Sequence, residues 1–402
     1  MKAVRPLFLL GPAFVAAIAY VDPGNVAANL TGGARYGYLL VWVLVAANLM
    51  AALVQYQSAK LGIVTGRTMP ELLGNRMRRG PRLAFWLQAE VVALATDLAE
   101  VLGGAIALGL LFHVPLLIGG VIVGAVSMGL LGLQSRFGQR PFETVVIGLL
   151  AVIAIGFLAG LFISPPDGAQ ALAGLIPRFE GTGSVLLAAS MLGATVMPHA
   201  IYVHSALARD RLGMARGSVD RVRLLRVTKW DVGIALTLAG LVNIGMLLLA
   251  AVTLPGVAGT DTIVGAHDAI SRALGPGIAL VFSIGLLASG LASTSVGSYA
   301  GATIMAGLLR RRIPVFLRRL ITLIPALIVL GIGVDPTWAL IVSQVLLSFG
   351  IPFALIPLLR LTNDRTLMGE QSNRLPVQVL LVIVVGLVVV LNVALIILTF
   401  LG

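Results

Sequence analysis

The stretch Ala16-Ala17-Ile18-Ala19-Tyr20-Val21-Asp22-Pro23-Gly24-Asn25-Val26-Ala27-Ala28 sets a carboxylate, a proline and an amide in the middle of apolar sequence. In an intact α-helix the N–H of residue i donates to the carbonyl of residue i−4. Proline has no N–H, and its ring clashes with that carbonyl. Pro23 therefore frees the carbonyl of Ala19. Asp-Pro-Gly-Asn is ordinarily a surface turn. Here a turn would leave an apolar run of about 15 residues before it, too short to cross a bilayer, and apolar sequence resumes beyond it. The reading that accommodates both halves is one membrane-spanning helix, broken at mid-depth.

A second break has the same grammar: Gly193-Ala194-Thr195-Val196-Met197-Pro198-His199. Pro198 frees the carbonyl of Ala194. Unwound backbone is tolerated at membrane depth only when it is buried in protein or faces a wet cavity. The first half of each broken helix points its negative dipole end at the break. Two freed carbonyls and two negative helix ends suit a cation. Asp22 and Met197 each precede a proline, and Asn25 follows Asp22 by three residues. A carboxylate, an amide oxygen, a thioether and the carbonyls of Ala19 and Ala194 would then surround one ion. The two prolines stand about 175 residues apart, which suggests two repeats, and repeats of five spans must be inverted. Paired discontinuous helices are the best sequence pointer to a transporter's binding site.

Composition supports a membrane setting. Of 402 residues, 58% are hydrophobic and 11% charged, against about 25% charged in soluble domains. Helices are expected over 7–30, 37–61, 83–112, 115–133, 142–163, 184–208, 230–254, 274–308, 314–333, 336–359 and 376–401. All lie in one transport domain, 1–402, with repeats at 1–165 and 180–360 and an eleventh helix at 376–401. With the N-terminus in the cytoplasm and the C-terminus outside, Arg35, Arg178 and Arg272 face outward and the other 25 Lys and Arg face inward. The positive-inside rule favours that orientation. The net charge of +12 thereby belongs to the inner membrane surface, not to nucleic acid. The absence of cysteine excludes disulfides, thiolate ligands and iron–sulfur clusters. Met1–Tyr20 has a basic start and an apolar run like a signal peptide, but Gly11-Pro12 interrupts it. Arg209–Lys229, the longest polar stretch, is expected as a cytoplasmic connector.

Glu90, Asp97 and Glu100 fall within roughly 60° of one another on the third span. Carboxylates inside a membrane mark ion pathways or proton relays by default. Arg318 and Arg319 enter the ninth span near the depth of Glu90, and a chain from Asp22 through Asp97 and Glu100 to Glu90 and the arginines follows. Taken individually, Arg318 and Arg319 are expected to snorkel to the interface rather than to relay protons. His199 and His204, after the second break, could carry protons or gate water. His199 points away from Met197. The run Ser289-Gly290-Leu291-Ala292-Ser293-Thr294-Ser295 reads as close helix packing, with a Na⁺ site as the other use of its hydroxyls. Gln344 is an isolated amide on the tenth span, able to swing onto the ion or to bond a neighbouring helix.

These segments resemble the Nramp family of proton-coupled divalent-metal transporters, in its bacterial branch. Asp22-Pro23-Gly24-Asn25, Met197-Pro198-His199, Ala95-Thr96-Asp97-Leu98-Ala99-Glu100 and Ser343-Gln344-Val345 look like its signatures. The resemblance implies an all-α, LeuT-type inverted repeat of 5+5 spans plus one helix, working by alternating access. It implies Asp22, Asn25, Met197 and the Ala19 and Ala194 carbonyls as metal ligands, with Gln344 joining in some states. Asp97, Glu100, Glu90, His199, Arg318 and Arg319 resemble positions linked to proton movement or gating, and His204 is placed with them. The expected cargo is Mn²⁺ or Fe²⁺, also Co²⁺ or Cd²⁺, with protons and no cofactor. The expected setting is a bacterial cytoplasmic membrane, as a monomer in the lipid bilayer. A Na⁺-coupled carrier of organic substrates would instead aim helix N-termini at a substrate carboxylate. A channel has no use for two breaks around one dry site, and no metalloenzyme motif appears.

Overall fold

A computed structural model describes residues 11–214, 221–260, 262–311 and 314–401. The expected start of the first span, 7–10, and the basic beginning of Met1–Tyr20 lie outside the described residues. The described chain is helical, with no strand. Eight helices are long and apolar enough to cross a membrane, and shorter apolar helices cover Pro12–Val21 and Leu116–Gly132. Counting the two broken spans once each, and adding Val315–Gly331, gives eleven crossings among the described residues.

Both breaks fall at the prolines. The first span runs Pro12–Ile18, makes one 3₁₀ turn at Ala19–Val21, and resumes over Pro23–Tyr36. Asp22 between the halves is extended, with φ −71° and ψ 167°. The sixth span runs Gly181–Thr195 and resumes over Pro198–Met214, with Val196 out of helix at φ −103° and ψ 70°. Each proline opens the second half-helix, where its missing N–H is no loss.

Several boundaries differ from expectation. The third span begins at Arg79, and its 34 residues extend about 51 Å at 1.5 Å per residue, well beyond the hydrocarbon core. The seventh span begins at Arg221, so most of the basic segment expected as a connector is helix. The sequence did not suggest this because four Lys and Arg between 221 and 229 mask a short apolar face, Leu224 and Leu225, that is buried. Four short helices lie between crossings, at Met69–Arg76, Gly168–Ala173, Ile263–Leu274 and Arg365–Met368.

The core is continuous across the bundle and includes Val15, Ile18, Val21, Val101, Leu102, Met197, Ile201, Leu286 and Ile351. The third and eighth spans pack closely because glycine faces backbone: a Cβ at Gly290 would lie 2.9 Å from Gly104 N and 3.0 Å from Glu100 O. Small-residue contacts of this kind hold helices together where lipid is as apolar as leucine. Ile155, Leu241, Ile328 and Leu387 point outward and are exposed, as lipid-facing positions should be.

Candidate metal-ion site

Asp22 is fixed by its own helix. Its Oδ1 accepts from Asn25 N at 2.7 Å, which makes it the N-cap of Pro23–Tyr36. The Asn25 side chain donates from Nδ2 to the same Oδ1 at 2.9 Å, and to the Ala194 carbonyl across the break at 2.8 Å. The two breaks are thus joined through one amide nitrogen. The Ala194 carbonyl, freed from its helix by Pro198, accepts this bond from Asn25. Asn25 Oδ1 is buried and without a partner among the described residues. The amide nitrogen stands where two acceptor oxygens converge, which is a cation's position. Turning the amide by 180° would aim Oδ1 at the same two oxygens, so that an ion held between them would meet three.

Gln344 reaches the same centre. Its Nε2 lies 3.4 Å from Asp22 Oδ2. This approach depends on Gly24, where a Cβ would fall 1.6 Å from Gln344 Nε2. Gly24→Ala should therefore evict the amide while leaving the helix intact. A neutral hydrogen bond contributes about 0.5–1.5 kcal/mol, so ion affinity should fall about two- to tenfold. Gln344→Ala should cause the same loss, and the double variant no more than either single one. Additive losses in a titration of the purified protein would separate Gly24 from Gln344. Asp22, Asn25, Met197 and Gln344 are all fully buried, so the centre is closed to both sides.

Other groups at the breaks were not legible. Asn243 of the seventh span donates to Tyr20 O at 2.6 Å and accepts from Asn29 Nδ2 at 2.8 Å, tying both halves of the first span to the seventh. Ser289 donates to Val21 O, while Ser293 and Ser295 bond carbonyls of their own helix. Those three hydroxyls serve packing and the break, and Thr294 Oγ1 of the same run is buried without a hydrogen-bond partner among the described residues. Gln55 donates to the Tyr20 hydroxyl, and its Oε1 lies 2.7 Å from His204 Nδ1.

The carboxylates of the third span meet the arginines directly. Arg318 is 3.0 Å from Glu90 and 3.9 Å from Asp97, and Arg319 is 3.3 Å from Asp97. Arg319 also donates to Ser127 at 3.0 Å. Their side chains are 2% and 0% exposed, so the snorkelling expected of each is incorrect. Three ion pairs and a hydroxyl replace the water that snorkelling would supply. The eighth span makes room with glycine: a Cβ at Gly301 would lie 1.8 Å from Arg318 Cζ, and one at Gly297 2.9 Å from Glu100 Oε1. Glu100 has no cation within salt-bridge distance among the described residues. His199 Nδ1 lies 3.4 Å from Thr96 Oγ1, which places it beside this group and away from the Asp22 centre.

A further polar cluster lies at the end of the bundle where the first span begins. Asp231 accepts from Gly11 N and Ala13 N, each at 3.0 Å, and so caps the start of the first span. Arg211 pairs with Glu143. Pro12, His204, Arg211 and Asp231 line a small cavity of about 10 Å³, room for about one water. Arg211 falls inside the stretch expected as a connector, and Asp231 at the start of the expected seventh span. At the opposite end of the bundle, His113, His267, Asp268 and Asp335 line a cavity of about 510 Å³.

An eleven-crossing helical bundle whose two broken spans close on a buried carboxylate defines a multi-pass membrane transporter. Residues 13–398 match the family model described as natural resistance-associated macrophage protein-like, or Nramp, and the chain belongs to that family. It is 60% identical over 395 residues to the divalent metal cation transporter MntH of Mycobacterium tuberculosis strain H37Rv, covering 98% of this chain and 92% of that one. Its structure superposes on the Eremococcus coleocola manganese transporter with a TM-score of 0.86 at 32% identity, covering 98% of this chain and 87% of the other. It also matches MhsT, solved with L-phenylalanine, with a TM-score of 0.63 at 13% identity and 97% coverage of each chain. That likeness shows the fold alone, the LeuT-type arrangement of inverted five-span repeats with one added helix. The relatives are named as transporters, not enzymes.

Proposed function

We propose that the protein imports divalent transition-metal ions, Mn²⁺ and Fe²⁺ foremost and Co²⁺ and Cd²⁺ also, by alternating access coupled to proton movement. The observation that carries the reading is the convergence of Asp22 and the Ala194 carbonyl on one point, at 2.9 and 2.8 Å from the Asn25 amide nitrogen. The names of the relatives agree with it. In the ion-bound protein the Asn25 amide turns, and its oxygen, Asp22 and the Ala194 carbonyl take the metal. Met197 sulfur and the Ala19 carbonyl complete the shell from the two breaks, and Gln344 joins as the outer side closes. A thioether favours softer, later metals over Ca²⁺ and Mg²⁺.

Protons take the third span. Glu100, without a cation of its own, accepts a proton on the ion side. Asp97, Arg318, Arg319 and Glu90 lead it toward the cytoplasm, and His199 and His204 tune water access beside them. Asp97→Asn keeps the side chain's shape but leaves Arg319 without its carboxylate. Metal binding should persist, while proton flux falls about tenfold for each ~1.4 kcal/mol added to the barrier. A pH-sensitive dye inside proteoliposomes, read alongside Mn²⁺ uptake, reports both. Unchanged proton flux and pH dependence would remove Asp97 from the pathway.

We place the chain in a bacterial cytoplasmic membrane as a functional monomer, N-terminus inside and C-terminus outside, with repeats at 1–165 and 180–360 and the added helix at 376–401. Because the chain has no cysteine, single cysteines report sidedness without background. Gln170→Cys should react with an impermeant maleimide on intact cells, and Glu370→Cys only after permeabilisation. Equal labelling of both on intact cells would contradict the orientation. The import reading itself is tested by wild-type flux in proteoliposomes: Mn²⁺ should enter with internal acidification and exclude Ca²⁺. Mn²⁺ entry blind to a proton gradient would leave a metal carrier without coupling.

A further inference from the structure

The outer connection between the fifth and sixth spans, residues 164–180, is not built like a loop that faces water. Leu172 and Ile176 are 68% and 62% exposed, Leu175 and Phe179 are exposed as well, and Phe162 just before the loop is 89% exposed. Water-facing loops rarely present so much large apolar surface together.

The segment is not free to fold these side chains inward. Asp167 caps Gly168–Ala173 by accepting from Ala169 N at 2.8 Å and Gln170 N at 3.2 Å. The loop is then strapped to the outer end of the second span. Asp167 N donates to the Tyr38 hydroxyl at 3.2 Å, Trp42 N donates to Gly174 O at 3.0 Å, and Trp42 Nε1 donates to Arg178 O at 3.3 Å. The Trp42 and Phe179 rings meet edge to face at 5.4 Å. A Cβ at Gly174 would fall 2.2 Å from Tyr38 O, so the strap is seated without a gap. Its outward apolar side chains are therefore held out by the fold.

What covers them follows from what adjoins them. The fifth span, which leads into the segment, exposes Ile155 and Phe162, and the sixth, which follows it, exposes Leu186, as lipid-facing positions do. Tyr36, Tyr38 and Trp42 lie at the same level, where a membrane protein gathers amphipathic aromatic rings. We propose that residues 164–180 lie in the outer membrane interface, with Leu172, Leu175, Ile176 and Phe179 among the acyl chains and the polar face of Gly168–Ala173 toward water. The bilayer, and not a second protein, is the occupant. The inference rests on the multi-pass membrane assignment and is independent of which ion is carried. The outer half of the sixth span begins at Gly181, directly after the strap. The lipid surface and the second span thereby fix the outer end of the half-helix that leads to Met197.

The test uses single-cysteine variants of the full chain, Leu172→Cys, Ile176→Cys, Gln170→Cys and Ile155→Cys, spin-labelled and reconstituted in liposomes. All four positions are exposed, so none disturbs the core. Gln170 sits roughly 200° around the helix from Leu172. Labels at Leu172 and Ile176 should collide with oxygen far more often than with a charged nickel chelate, at a ratio several-fold above that of Gln170 and close to that of Ile155. A ratio at both positions equal to that at Gln170 would place the loop in water and overturn the proposal. Spin–spin broadening at Leu172 or Ile176, removed by dilution with unlabelled protein, would put a second copy on the patch and overturn it equally.

Discussion

Asp22→Ala is expected to abolish Mn²⁺ binding and uptake. The side chain supplies the only carboxylate at the meeting of the two breaks, and it is held by Asn25 N at 2.7 Å with its second oxygen toward Gln344. Loss of a partner that merely orients a metal ligand costs about 10–100-fold in affinity, so loss of the charged ligand should exceed about 100-fold. The same substitution removes an N-cap, a loss of about 0.5–2 kcal/mol in helix stability. Asp22→Asn separates the two effects, because asparagine caps as well as aspartate but brings no charge. Both variants should fold, by size-exclusion profile and thermal melting, and both should fail to take up Mn²⁺. Uptake retained in Asp22→Asn alone would show that capping, and not ligation, is what Asp22 supplies.

Met197→Ala should change which ions pass more than how fast they pass. The thioether occupies a place that water or oxygen could fill, and hard cations gain little from sulfur. Removing it opens room for a water and gives Ca²⁺ and Mg²⁺ a fuller oxygen shell. Cd²⁺ transport should fall strongly, Mn²⁺ transport should survive in part, and Ca²⁺ should begin to compete. A tenfold change in the Cd²⁺ to Ca²⁺ ratio corresponds to about 1.4 kcal/mol, within the reach of one ligand. Met197 is also fully buried in the core, so truncation leaves a cavity and a purely packing role predicts a uniform loss for every ion. Competition uptake at matched protein levels distinguishes the two. Unaltered Ca²⁺ exclusion would assign Met197 to packing.

The breaks could be read from the sequence because proline acts locally. Its missing N–H and ring clash operate on residue i−4 wherever the helix goes, and both helices interrupt where that rule puts them. The acidic stripe could be read for a similar reason, since three carboxylates on one helix face in apolar sequence have few other uses. Partners across helices could not be read. Nothing in the local sequence around Asn243, Ser289 or Gln55 says that they meet Tyr20 or Val21. Arg318 and Arg319 do not snorkel because that is decided by what lies beside the side chain, here Glu90, Asp97 and Gly301 of the eighth span. Arg211 lies in a polar stretch and Asp231 just past it, at the start of the expected seventh span, and nothing local says that they pack into the bundle as the capping and ion-pairing residues they are. The orientation of the Asn25 amide depends on the Ala194 carbonyl, 169 residues away in sequence, and no local pattern carries it.

The central claim is that one ion sits between the two breaks. Crystals of the wild-type protein grown or soaked with Mn²⁺ and measured near its absorption edge would locate that ion by anomalous scattering. The account predicts one dominant peak within coordination distance of the Asp22 carboxylate, the Asn25 side-chain oxygen, the Met197 sulfur and the Ala194 carbonyl, lost in crystals of Asp22→Ala. A dominant peak elsewhere, with the Asn25 amide still donating to Asp22 and Ala194, would contradict it.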